Sequence, residues 1–93
     1  MTKSEKAILT REVNLAFARA RSAEITVLRV GRDHDATDDD YHDVQRDAAE
    51  KRAFYEGVNY LASMLGANVD LDAQSETLDH AYWDLFFSRS NNE

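Results

Sequence analysis

Five arginines carry the most pointed chemistry in this sequence. Arg11, Arg21, Arg29 and Arg32 are spaced so that a helix would gather them on one outer face, with Arg19 toward its side. Guanidinium forks match phosphate and carboxylate oxygens in pairs. A row of this kind suits a compact phosphate ligand, or the acids of another subunit. It suits duplex nucleic acid poorly, because the chain carries a formal charge of −7 and would be repelled from a long polyanion. An acidic mimic of DNA fits no better, since it would leave the arginine row unused.

The second place to look for chemistry is the stretch from Asp33 to Asp43, which holds six acids and no base. A calcium loop of the EF-hand type starting at Asp33 would need glycine in its sixth place and glutamate in its twelfth. Asp38 and Val44 stand there instead. Asp38 and His42 could share a helix face, but two ligands do not hold a metal, so none is expected. Catalysis finds no better footing. The chain has no cysteine and no glycine-rich phosphate loop. His34, His42 and His80 lack a positioned serine for a triad, and clustered exposed carboxylates have nothing to separate their pKa values. The expectation is a protein that is not an enzyme and needs no cofactor.

The third group is aromatic. Phe54, Tyr55 and Tyr60 sit in one segment, and Tyr82, Trp83, Phe86 and Phe87 in another. Such side chains build cores, and they also dominate the binding energy of interfaces.

The elements that position these residues are helical. Leu9, Val13, Ala16, Ala20, Ala23, Val27 and Val30 alternate gaps of four and three, predicting a first helix over about residues 4–31. Its alanines would let a partner helix approach closely. The β-branched run at residues 25–30 is compatible with a strand, but the stripe passes through it in phase, which favours helix. Thr37 or Asp38 caps a second helix over 39–65, ending at Gly66. Arg46 with Glu50 and Asp47 with Lys51 stand four apart on it. Gly57 interrupts its interior at a cost of about 1 kcal/mol relative to alanine, and is read as admitting a close neighbour or a ligand. A third helix over 75–88, capped by Ser75, carries the second aromatic group, and the polar tail from Ser88 to Glu93 is expected to fray.

Ninety-three residues make one domain, 1–93. Charge is unevenly placed along it. Residues 1–32 hold seven bases and three acids, while residues 44–93 hold four bases and nine acids. No apolar stretch approaches the length of a bilayer span, and the N-terminus does not read as a signal peptide, so a soluble, cytoplasmic chain with no membrane partner is expected. The predicted fold class is all-α: a long antiparallel helical hairpin with a short C-terminal aromatic helix covering one end. Phe17 and Leu28 lie off the main stripe of the first helix and still need cover. That surplus of apolar surface predicts homo-oligomers.

Leu9-Thr10-x-Glu12-Val13-x-Leu15 in the first helix, with Lys51, Glu56-Gly57-Val58 and Leu61 in the second, resemble the small viral sponge proteins that sequester cyclic nucleotide immune signals. The resemblance implies an oligomeric helical hairpin that takes up a cyclic nucleotide. Those proteins also use an aromatic and basic segment before the hairpin, whereas residues 1–8 here hold Lys3 and Lys6 but no aromatic.

Three functional expectations follow. The leading one is a non-enzymatic oligomeric binding protein, such as a phage or mobile-element inhibitor that docks on a host protein and blocks it sterically. The second is a nucleotide sponge in which Arg11, Arg19, Arg21 and Arg29 grip phosphates and an aromatic ring stacks a base. The third is a structural assembly component.

Overall fold

The computed structural model describes the backbone of residues 1–91 and the side chains of residues 1–88. Three helices follow one another: α1 (Lys3–Gly31), α2 (Asp38–Met64) and α3 (Ala73–Asn91). Among the described residues there is no strand, and residues 25–30 belong to α1 with Ile25 buried. The continuous stripe thus outweighs the local β-branched preference. The expected tail begins too early: α3 runs on to Asn91, while Asn92 and Glu93 lie outside the described residues.

Each helix start is built by local hydrogen bonds. The Thr2 hydroxyl accepts the Glu5 N–H and the Glu5 carboxylate accepts the Thr2 N–H, both at 3.1 Å. Thr37 and Asp40 form the same reciprocal box at the head of α2. Acids in the first turn of α2 also meet the positive end of its dipole. At its far end, Gly66 takes a left-handed φ of 84°, the Gly66 N–H donates to Ser63 and the Ala67 N–H to Ala62. This pattern closes the last carbonyls and turns the chain sharply. The cap of α3 is Asp72, whose Oδ1 accepts the Ser75 N–H at 2.8 Å. Ser75, expected as the cap, is instead buried inside the first turn.

Contacts between α1 and α2 run in reverse chain order. Tyr41 lies over Gly31, where a Cβ would sit 3.2 Å from the ring, and Arg52 reaches Glu24. Phe17 meets the ring of Tyr55 edge-on at 5.2 Å, and Val13 packs with Ala62 and Ala67. The fully enclosed positions are mostly alanine: Ala16, Ala20, Ala23, Ala48 and Ala62. Leu9, Val58 and Val69 close the cluster around Val13.

The third helix does not cover an end. It lies along α1, in the same chain direction, with Ser75 beside Asn14, Asp79 beside Arg21 and Leu85 beside Arg32. It packs on α1 alone, with no approach to α2 among the described residues. The reason is a second stripe on α1. Asn14, Phe17, Arg21, Ile25, Leu28 and Arg32 follow at gaps of three or four, turned away from the alanine seam, so Phe17 and Leu28 find cover within the chain.

Asn14 fixes the turn that brings α3 back. Its buried amide donates to the carbonyls of Thr10 at 3.0 Å and Asp70 at 3.1 Å, and its Oδ1 accepts the Asp72 N–H at 2.8 Å. The Ser75 hydroxyl donates to the Asn14 carbonyl at 3.3 Å. Among the described residues no buried side-chain nitrogen or oxygen lacks a partner. Asn14→Ala strips three of these bonds and leaves the Asp72 N–H unpaired, so it is expected to lower stability by about 2 kcal/mol, read from urea unfolding followed by circular dichroism.

Glu5 supplies a second test. Its bonds to Thr2 hold the carboxyl below its ordinary pKa. A group depressed on folding stabilises the fold above its unfolded pKa and loses that contribution as pH falls through the folded value. NMR titration should show Glu5 protonating at lower pH than an ordinary glutamate, and Thr2→Ala, which removes the hydroxyl but keeps the backbone N–H, should return it only part of the way. An ordinary value in the wild type would contradict the capping box.

Candidate functional site

The α1 residues Arg21 and Glu24 stand three apart and meet at 3.0 Å. Packing of α2 and α3 on either side of α1 extends this pair in both directions. Arg21 Nε donates to Asp79 of α3 at 2.8 Å, and Arg52 Nε of α2 donates to Glu24 at 2.9 Å. The result is a line of alternating charge, Asp79–Arg21–Glu24–Arg52, that ties all three helices together. Aromatic faces line it. The Arg21 guanidinium lies 4.1 Å from the centroid of Tyr82 and 5.5 Å from that of Trp83, and Arg52 lies 5.2 Å from that of Tyr55. Cations over such rings are attracted by the ring quadrupole, more so away from water. The hydrogen bonds from Arg52 to Glu24 hold that guanidinium above its ordinary pKa, against a smaller opposing effect of burial.

This network redistributes the arginine row. Arg21 faces α3, and Arg32 donates to the Leu85 carbonyl near the other end of the same contact. Arg11, Arg19 and Arg29 are exposed. Arg19 borders a shallow groove with Asp47, Glu50, Lys51 and Phe54, whereas Arg11 borders a separate hollow with Lys3, Lys6 and Asp72. The five guanidiniums therefore do not converge on one pocket. α3 occupies part of the face of α1 on which helical spacing gathers Arg11, Arg21, Arg29 and Arg32.

The seven aromatics also divide. Tyr55 and Tyr82 are half-buried and serve the packing around Phe17 and Arg21. Trp83, Phe86 and Phe87 form an exposed cluster along α3. Trp83 stacks on Phe87 at 5.7 Å and meets Phe86 edge-on at 5.6 Å, and Phe86 stacks on Tyr82 at 6.1 Å. Phe54 and Tyr60 are exposed on α2, apart from that cluster. The rings of α3 are thus one continuous aromatic edge, supported from below by Arg21.

The acidic turn is spent locally. Asp40 completes a cap, and Asp33 accepts the Asp35 N–H at 2.9 Å. His34, His42 and His80 are exposed, and no group of three or more potential metal ligands gathers among the described residues. Of the charge pairs expected on α2, Lys51 bonds Asp47 at 2.6 Å.

Residues that mattered and were not singled out from sequence are Asn14, Glu24, Arg52 and Asp79. The available signal was the second stripe on α1, in which polar side chains alternate with Phe17, Ile25 and Leu28 at helical spacing. No protein-family model, curated protein or solved structure matches the chain.

Glu24 joins two guanidiniums with its side chain only 20% exposed. Its removal leaves Arg52 without its acid and Arg21 with Asp79 alone. The effect lies between that of a buried pair and that of a surface pair such as Lys51–Asp47, so Glu24→Ala is expected to cost about 2 kcal/mol. Guanidinium denaturation followed by Trp83 fluorescence measures it, and a loss below about 0.5 kcal/mol would place the network among ordinary surface pairs.

Proposed function

We propose that this chain is a non-enzymatic binding protein that assembles with copies of itself and docks on a protein target through the aromatic edge of α3, blocking the target's surface. The observation that carries the reading is the arrangement of Trp83, Phe86 and Phe87: Trp83 stacked on Phe87, Phe86 edge-on to both, all outward and Phe87 57% exposed. Stacked rings on a helix have little rotamer freedom left to lose on binding, and aromatic anchors of this kind dominate interface energetics. The rigid footing comes from Arg21 beneath the rings and from Asn14 at the start of α3. A steric blocker of a host protein, of the sort phages and mobile elements deploy, would use such an edge.

The cyclic nucleotide alternative calls for several guanidiniums around one ligand. With Arg21 and Arg32 engaged by α3 and the exposed arginines dispersed, it has less support.

The experiment compares tagged wild type with a Phe86→Ser/Phe87→Ser variant, which leaves Trp83 as a fluorescent reporter of folding. Wild type should retain one protein from host lysate in stoichiometric amount, and the folded variant should lose it at least tenfold. Recovery of no stoichiometric protein by wild type would overturn the docking reading. Calorimetry against cyclic di- and trinucleotides should show no heat at tens of micromolar ligand, and saturable heat there would favour the sponge instead.

A further inference from the structure

The α1–α2 pair has two flanks, and α3 covers one. On the other, α1 presents positions 8, 12, 15 and 19 at gaps of four, three and four, and α2 presents 54 and 61, with its cap residue Leu65 four further on. Ile8 and Leu65 line one hollow of this flank, and Arg19 and Phe54 line another over the floor of Ala16. No α3 residue borders either hollow. Phe54, Leu61 and Leu65 are 63%, 59% and 60% exposed, so the chain leaves this face of α2 open, while Val58 beside it packs on the core. Apolar residues so placed on two neighbouring helices, with Glu12 and Arg19 between and beside them, offer a surface that another helix pair can close.

We propose that a second copy of this chain docks on that flank, each copy laying its α1 against the α2 of the other to form a four-helix bundle. The proposal rests on the self-assembling protein described above and assigns the surface that assembles.

Three observations select a second copy. The first is charge. Within Lys3–Gly31, α1 holds six bases and three acids, and within Asp38–Met64, α2 holds three bases and seven acids. A two-fold arrangement places the basic helix of each copy on the acidic helix of the other, twice over, whereas like helices would repel. On the flank itself Arg19 stands near Asp47 and Glu50.

The second is area. The chain exposes 6717 Å², with extents of 50 × 26 × 16 Å. A compact monomer of 10.6 kDa would expose about 5,500 Å². The difference, about 1,200 Å², exceeds the roughly 800 Å² that each partner buries in a stable interface of standard size.

The third is Gly57. It lies between Phe54 and Leu61 on α2, and a Cβ built there meets nothing within 4 Å. The close neighbour that its sequence context suggested is absent within the chain. The space is open beside this face, where the helix of a second copy can approach most closely.

Sedimentation equilibrium on the full chain tests this, with far-ultraviolet circular dichroism confirming that every variant remains helical. Wild type at tens of micromolar should sediment at twice 10.6 kDa. Phe54→Lys/Leu61→Lys, which changes exposed positions only, should give a monomer. Gly57→Leu should raise the dimer dissociation constant at least tenfold while leaving the helical content of the monomer unchanged. The α3 variant Phe86→Ser/Phe87→Ser should remain dimeric. A monomeric wild type would overturn both this proposal and the self-assembly it rests on. A dimer that survives Phe54→Lys/Leu61→Lys, or that dissolves in the α3 variant, would overturn the flank alone and leave assembly standing.

Discussion

Alanine sets the terms of this fold. Where α1 meets α2, the enclosed positions are Ala16, Ala20, Ala23, Ala48 and Ala62, and the largest side chains with almost no exposure are Val13 and Ser75. Small residues allow the helices to approach closely, but they remove little apolar area from water. A seam of this kind supplies proximity and comparatively little driving force. Alignment must therefore come from groups with direction, and those are polar: Asn14 near the middle of α1, Arg21 and Glu24 further along it with Arg52 of α2, and Arg32 at its C-terminal cap. Phe17 is the exception, a large buried ring that meets Tyr55 of α2 edge-on.

The same constraint explains what lies outside. With the interior seam filled by alanines, the large apolar and aromatic side chains of α2 and α3 have no interior to enter. Phe54, Leu61, Leu65, Trp83, Phe86 and Phe87 stand at the surface for this reason. They form two separate faces, one on each side of the molecule's shared first helix. A chain that binds its own kind on one face and a target on the other would need them kept apart in this way, and α1 keeps them apart.

How much of this the sequence discloses depends on the range of the interaction. Local signals read cleanly: the α1 stripe through residues 25–30, the cap at Thr37, the left-handed turn at Gly66, the Asp47–Lys51 pair. Each involves residues within a few positions of one another, where spacing alone dictates geometry. The cap of α3 is Asp72 and not the expected Ser75, although aspartate and serine are both good caps. Only the burial of Ser75 against Asn14, more than fifty residues away, decides between them.

Long-range choices were less legible. The spacing of the α3 residues says that the helix has an apolar side, not whether that side lies across the end of the first two helices or along one of them. The deciding contacts, Arg21 with Asp79 and Arg32 with the Leu85 carbonyl, join residues whose side chains look solvent-bound in a linear reading. Arginine stems pack while their heads find a carboxylate or a carbonyl, so a charged face on a helix can be an internal one. The aromatic edge was visible as composition, but its division from Phe54 and Tyr60 required the path of the chain.

That α3 leans on α1 alone gives the molecule a line of cleavage. Lifting α3 away breaks the Asp79 ion pair, the Arg32 bond and the Asn14 clamp, yet leaves the Leu9, Val13 and Ala62 packing in place. Native-state opening of this sort proceeds in contiguous blocks of unequal cost. The C-terminal helix is the block that departs first, and it takes its rings with it as a single hinged blade.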